Sequence, residues 1–269
     1  MIGLILLGYG KSERFLKSLK DSNLLNSSLI INTKIYNYLL NSLKSNFNKI
    51  LLKITDDKNI MDLSIEVFKR INNLIKTVVF VIDLNVDIKK YEGYFNEVLV
   101  TEGGILRQTS SYKGLQKLKE SKYFNEIEYV IIHDLARPLI NLKMINNIID
   151  CIKEYDGCTL YINPTDSIAF EFDRNLSYVN REKTLLIQTP QIFKKEAIFN
   201  VHELSKSEKD VFTDDLSLLE FYTTYKINYI QGHKFNIKIT DLNDYLIVFN
   251  LVNFLIENNL YQHYLEGNI

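Results

Sequence analysis

Short apolar runs alternate along the chain with stretches in which apolar residues recur every three or four positions. The runs predict buried strands at 2–7, 50–54, 77–82, 97–100, 129–133 and 159–162. The periodic stretches predict helices at 34–43, 61–75, 109–120 and 142–154, the last with Leu142, Ile145, Ile149 and Ile152 on one face. Strands that are apolar throughout and separated by helices imply βαβ units and a mostly parallel sheet covered on both faces. Such sheets bind ligands on the loops beyond the carboxyl ends of their strands. After Pro164 the pattern changes. Residues 167–179 alternate polar and apolar around a turn at 173–175, as a hairpin would, an excursion from the sheet rather than a second core. A helix at 214–222 and a strand at 226–230 resume the α/β pattern. Asp241 then caps a long final helix with Leu242, Tyr245, Leu246, Phe249, Val252 and Ile256 on its apolar face.

Composition narrows the function classes. With 269 residues, 46% hydrophobic and 24% charged, the chain is ample for a sizeable core and unlike a disordered one. Lys and Arg number 32 against 33 Asp and Glu, a net charge of -1, which gives no basis for binding nucleic acid or anionic lipid non-specifically. The apolar opening run is too short to span a bilayer and has no basic flank, so no targeting segment is expected. Two cysteines make no disulfide framework and are expected as separate packing thiols in a reducing, cytoplasmic setting. With no repeat or linker, residues 1–269 are expected to form one domain.

Three segments follow predicted strands and carry chemistry. Gly8-Tyr9-Gly10-Lys11-Ser12 would let a backbone approach a phosphate with Lys11 beside it, or would simply make a tight strand-to-helix turn. It is neither a Walker A loop nor a dinucleotide fingerprint, because Ile5 and Glu13 stand where those motifs need glycine. Glu102-Gly103-Gly104-Ile105-Leu106-Arg107-Gln108-Thr109-Ser110 offers N–H groups and hydroxyls to a ligand, or is a plain capped helix after a turn. His133-Asp134-Leu135-Ala136-Arg137-Pro138 places an acid able to ligate Mg²⁺ and an arginine able to fork a phosphate on one loop; as plain structure the two make a surface pair. His133 is expected as a packed histidine, and Lys238 within a short apolar strand. The scattered histidines have no zinc spacing, and no Gly-x-Ser-x-Gly is present.

Taken in chain order, these segments resemble the 2-C-methyl-erythritol 4-phosphate cytidylyltransferase family and its relatives, the ribitol 5-phosphate cytidylyltransferases. The resemblance is carried by Gly8-Tyr9-Gly10, Gly103-Gly104-x-x-Arg107-x-x-Ser110, His133-Asp134-x-Ala136-Arg137-Pro138, Asp166-Ser167, Arg181, Gln188-Thr189-Pro190-Gln191, Thr213-Asp214-Asp215 and Asn236-Ile237-Lys238. It implies a Rossmann-like α/β fold of the nucleotide-diphospho-sugar transferase type. A protruding β-arm, expected at about 163–187, would be exchanged within a homodimer. The implied reaction joins CTP to a polyol phosphate with Mg²⁺, most simply 2-C-methyl-D-erythritol 4-phosphate. The same chemistry on ribitol 5-phosphate or another polyol phosphate, and a nucleotide-binding paralogue without catalysis, are the alternatives.

The resemblance also implies roles. Gly8, Gly10, Lys11, Gly103, Gly104, Arg107, Ser110 and Asp134 would hold the nucleotide, with Asp134 also facing the metal. Arg137, Ser167, Arg181 and Thr189 would hold the polyol phosphate, Ser167 and Arg181 reaching across from the partner. Arg14, Lys20 and Lys238 would neutralise charge in the transferring phosphates. The first loop departs from the family pattern. Leu6-Leu7 replace two small residues and are expected to narrow the approach. No Pro-Lys pair follows Arg14-Phe15, which leaves Lys17 and Lys20 as the nearest cations. Chain length beyond a minimal core is expected to lie in the segment 16–30 and the final helix.

Overall fold

A computed structural model describes residues 1–22, 33–44, 47–173, 175–205 and 212–269. Its main sheet has seven strands in the order β3-β2-β1-β4-β8-β5-β9. These are β1 (Ile2–Leu7), β2 (Ile75–Val81), β3 (Val98–Thr101), β4 (Tyr129–Asp134), β5 (Gly157–Ile162), β8 (Leu186–Lys194) and β9 (Ile227–Gln231). A separate antiparallel pair, β6 (Ile168–Phe172) and β7 (Asn175–Val179), forms a hairpin. Strands β1 to β4 run parallel, so their carboxyl ends share one edge of the sheet.

Every residue of β1 is buried, because both faces of the sheet are covered. Leu4 and Leu6 pack into one core layer with Val78, Phe80 and Ile131, while Ile5 and Leu7 pack into the opposite layer with Val79, Val81 and Ile132. That is the period-two alternation of a strand with oil on both sides. Leu6 and Leu7 are therefore core residues, and the narrowing expected from them does not occur at the loop. A third cluster joins α1 (Glu13–Asp21), α2 (Thr33–Leu43) and α9 (Leu242–Glu257) through Phe15, Leu19, Ile35, Leu39, Tyr245 and Phe249.

The remaining helices are α3 (Ile60–Lys69), α4 (Lys89–Glu92), α5 (Arg107–Leu118), α6 (Leu142–Cys151), α7 (Lys195–Leu204), α8 (Asp215–Tyr222) and α10 (Tyr261–Glu266). Several helices begin on a side-chain cap. Asn59 and Asp62 form a reciprocal capping box on α3, as Asp241 and Asp244 do on α9, and Asp214 caps α8.

Several expectations need correction. Residues 50–54 form no sheet strand: Lys49–Leu51 is a 3₁₀ turn capped by the Asn48 side chain, and Leu52 and Ile54 bury themselves in the helical layer. The helix predicted at 61–75 stops at Lys69, because Ile75 already opens β2. Lys238 lies in extended chain that belongs to no strand. Strand β8 was not foreseen, since Pro190 argues against a central strand. A bulge resolves the conflict: Thr159 pairs with Gln191 and Leu160 with Gln188, so Thr189 and Pro190 are skipped in the β5 ladder. Cys151 and Cys158 are not separate thiols. The turn after α6 returns the chain to β5 and joins them in a disulfide with Cα atoms 6.4 Å apart. Residues 16–21 of the segment 16–30 belong to α1, which Ser22 caps; residues 23–30 and the hairpin position 174 lie outside the described residues.

Candidate functional site

The carboxyl ends of β1, β3 and β4 deliver the three loops singled out in the sequence to one place. The Gly8 amide still bonds to the Val81 carbonyl at 2.9 Å, and then the chain turns. Gly10 takes a φ of +155°, a conformation side chains resist. Tyr9 lies directly on Gly103, where a Cβ would stand 2.5 Å from the tyrosine's own Cβ. The first and third strand ends are thus locked together by a contact that requires glycine. The second loop is fixed from within: Gly104 donates to the Ser110 hydroxyl at 3.0 Å, and Lys113 donates to the Gly103 carbonyl at 2.9 Å.

Asp134 is the electrostatic centre. Its Oδ2 meets Lys238 Nζ at 2.7 Å and Arg137 Nε at 3.9 Å, and its Oδ1 meets Arg107 Nε at 3.3 Å. Burial alone would raise its pKa. The charges of Lys238, Arg107 and Arg137 outweigh that and hold the carboxyl far below the usual range. Arg137 donates to the Asn236 carbonyl at 2.8 Å, and the Ile239 amide donates to the Ala136 carbonyl at 2.8 Å. Those two bonds bring the segment carrying Lys238 onto the Asp134 loop.

Behind Asp134 sits an uncharged support. Thr189 Oγ1 accepts from the Asp134 amide at 3.1 Å and meets His133 Nδ1 at 3.2 Å, while His133 Nε2 lies 3.1 Å from Ser64 Oγ. Burial pushes the His133 pKa down to about 3, so the ring is neutral, in keeping with a packed histidine. Thr189 is buried, and its hydroxyl is engaged in holding the Asp134 backbone. On the other flank, Arg107 NH1 donates to Asp215 Oδ2 at 2.7 Å. Burial opposes ionisation of Asp215, but Arg107 and His202 prevail and bring its pKa down to about 2.

The structure brings a further cation to this centre. Lys49 follows α2, far from the first loop in sequence, yet its amide donates to Ser12 Oγ at 3.4 Å. Its ammonium is pushed down to about 8, first by burial and then by the nearby charges of Lys238 and Arg14, against the pull of Asp134 and Asp244. Arg14, in the first turn of α1, therefore stands with Lys49 and Lys238. Lys20 does not: it is exposed in the last turn of α1, about 9 Å along the axis from Arg14 at 1.5 Å per residue. Arg14, Lys17 and Lys11 are exposed as well, so it is position along α1 and not exposure that sets Lys20 apart from Arg14. In the sequence Lys49 is marked only by the pair Asn48-Lys49 ahead of the apolar run Ile50-Leu51-Leu52.

Ser167 and Arg181 lie apart from Asp134, exposed at the base of the β6–β7 hairpin, where Arg181 donates to the Thr165 carbonyl at 3.1 Å. The site also collects buried polar atoms without a hydrogen-bond partner: Arg107 NH2, Arg137 Nε and Asn236 Oδ1. Native interiors rarely leave such groups unmatched, and together they mark a place for a polar ligand. Among the described residues no group of three or more His, Cys, Asp or Glu could cage a metal. One carboxylate beside a multiply charged anion is nonetheless a donor set that suits Mg²⁺, which keeps waters and shares phosphate oxygens. No helix among the described residues is long and apolar enough to cross a membrane.

The family model described as IspD: 2-C-methyl-D-erythritol 4-phosphate cytidylyltransferase matches residues 41–253. The enzyme of that name from Lachnoclostridium phytofermentans is 30% identical over 213 residues, covering 75% of this chain and 87% of its own. That from Thermosipho africanus is 29% identical over 246 residues, covering 91% and 94%. In fold, the chain is similar to 4-diphosphocytidyl-2C-methyl-D-erythritol synthase from Anaerococcus prevotii, with a TM-score of 0.69 at 19% identity over 94% of this chain and 98% of that one. It is also similar to the Thermus thermophilus 2-C-methyl-D-erythritol 4-phosphate cytidylyltransferase, with a TM-score of 0.67 at 17% identity over 94% and 100%.

Proposed function

Because the chain belongs to the 2-C-methyl-D-erythritol 4-phosphate cytidylyltransferase family, we propose that the Asp134 site joins CTP to 2-C-methyl-D-erythritol 4-phosphate and releases pyrophosphate. The protein is a CTP-dependent nucleotidyltransferase. The observation that carries the reading is the convergence of Lys238, Arg107 and Arg137 on Asp134, with Lys49 and Arg14 beside them. An oxygen of the substrate phosphate attacks the α-phosphorus of CTP. The new P–O bond forms as the bond to the bridging oxygen of the β-phosphate breaks, and pyrophosphate departs. The attacking phosphate is already ionised near neutral pH, so no general base is required. Positioning and neutralisation of charge supply the catalysis.

In this reading Gly8, Gly10 and Lys11 admit the triphosphate, and Lys49, Arg14 and Lys238 neutralise it. Lys49 takes the role expected of Lys20. Gly103, Gly104 and Ser110 hold the cytosine, and Arg137 holds the polyol phosphate. Thr189 serves by fixing Asp134. Mg²⁺ would be held by Asp134 and phosphate oxygens, and when bound it offsets phosphate charge. Lys238 then exchanges the Asp134 carboxylate for a phosphate oxygen.

We assign Ser167 and Arg181 to the partner's site in a homodimer with exchanged arms. Phe170, Phe172, Leu176 and Tyr178 support that assignment: they stand 60–75% exposed on a lone two-stranded hairpin, an arrangement marginal in water unless covered. We also propose a cytoplasmic setting, a compartment that supplies CTP. The test is pyrophosphate release with CTP, Mg²⁺ and a panel of polyol phosphates. The methylerythritol phosphate is expected to be preferred over ribitol 5-phosphate. No release with any of them, from folded and dimeric protein, overturns the reading.

A further inference from the structure

The Thr213-Asp214-Asp215 segment has no part in the reaction described above, yet it furnishes half of the surroundings of Arg107. Its two acids do different things. Asp214 caps α8, accepting from the Leu216 and Ser217 amides at 3.0 and 3.1 Å. Asp215 turns inward and is fully buried. Its Oδ2 accepts from Arg107 NH1 at 2.7 Å and from Ser111 Oγ at 3.1 Å; its Oδ1 lies 2.9 Å from His202 Nε2. Its own amide donates to Gln191 Oε1 at 3.1 Å. Side chains from α5 and α7 thus fix one carboxylate at the start of α8 while Gln191 of β8 holds its backbone, and the His202 ring lies against Tyr112 with centroids 6.2 Å apart.

We propose that Asp215, braced by His202 and Ser111, is a positioning residue that holds the Arg107 guanidinium between itself and Asp134 and so sets the affinity for CTP. The inference rests on the cytidylyltransferase reading of the site. A guanidinium is a planar fork, and fixing one prong fixes the others. With NH1 on Asp215 and Nε on Asp134, NH2 is left buried and unmatched, free for an oxygen of the nucleotide. Without Asp215, Arg107 has only Asp134 to pair with, and closes onto the carboxylate that must open for the nucleotide.

The test is a double-mutant cycle between Asp215→Asn and Arg107→Met, read on the KM values for CTP and polyol phosphate and on CTP affinity by calorimetry. Asp215→Asn keeps the shape and removes the charge. It is expected to raise the KM and Kd for CTP about tenfold, the effect of one charge-assisted hydrogen bond, with the polyol phosphate KM within about twofold. The double variant is expected to be no more than about twofold worse than the weaker single one, because both changes break the same contact. Losses that multiply, or that fall equally on both substrates, overturn the proposal. Should Asp215→Asn fail to fold, His202 takes its place in the cycle: His202→Gln, which retains a donor, should keep CTP affinity, and His202→Phe should lose it only when Arg107 is present. Equal loss in both overturns the proposal. CTP binding without turnover would refute the reaction while the affinity cycle still decides this inference; no CTP binding refutes both.

Discussion

Lys49 offers the sharpest test of the site. An ammonium whose pKa falls from 10.5 to about 8 costs the ligand-free protein roughly 3 kcal/mol to keep charged, at 1.36 kcal/mol per pH unit. Burial is the largest cause, followed by the like charges of Lys238 and Arg14. A bound triphosphate removes that cost by presenting negative charge to all three. Nucleotide binding above pH 8 should therefore take up a proton. The direction follows from linkage: the free site loses its proton as pH rises through about 8, whereas the occupied site keeps it. CTP affinity, and kcat/KM for CTP, should fall by about tenfold per pH unit above that point. In the protein without nucleotide the sign reverses. The unfolded lysine holds its proton up to 10.5, so stability from this group increases between about pH 8 and 10.5. The perturbation is Lys49→Arg, since guanidinium stays charged throughout this range. The assay is pyrophosphate release at subsaturating CTP between pH 7 and about 10, with the polyol phosphate saturating. The arginine variant, whatever its absolute rate, should lose the alkaline limb. A limb near pH 8 that persists in Lys49→Arg, or a wild-type profile flat up to pH 10, would refute the argument.

Three other outcomes are expected. Arg137→Lys keeps a charge but loses the two-pronged hold on the Asn236 and Ile187 carbonyls, and should lower kcat/KM for the polyol phosphate about 10²-fold with little change in CTP affinity by calorimetry. His133 is buried neutral with a pKa near 3, while the unfolded histidine takes a proton near 6.5; stability should decline as pH falls below 6.5, and denaturant titrations of His133→Gln should show a shallower decline. Replacing Phe170, Phe172 and Tyr178 by serine should leave a folded monomer by sedimentation, and a variant that remains dimeric would remove the hairpin from the interface.

The parts of the fold legible in the sequence were those where local pattern and burial agree. Strand β1 falls at 2–7 as predicted because an apolar run with both faces covered has no competing period. The loops after β1, β3 and β4 were likewise readable, since parallel strands place their carboxyl ends together. Strand β8 was not, because Pro190 conflicts with a central strand until the bulge across from Thr159 is known. Lys49 was missed because its neighbours in space, Ser12 and Arg14, are some 35 residues away in sequence, a closure that local pattern does not encode. Thr189 was legible as part of the site but not as its brace, since that depends on which strand lies beside Asp134.

Asp134 is placed so that the resting site carries its own counter-ion. Its carboxylate occupies the very cations that a triphosphate would seek. A small ambient anion such as inorganic phosphate must displace that carboxylate and gains few contacts in return, whereas a chelated triphosphate offers the carboxylate a cation and the cations several oxygens at once. On the proposed reading, the ion pair would act as a threshold that sorts anions by valence and reach.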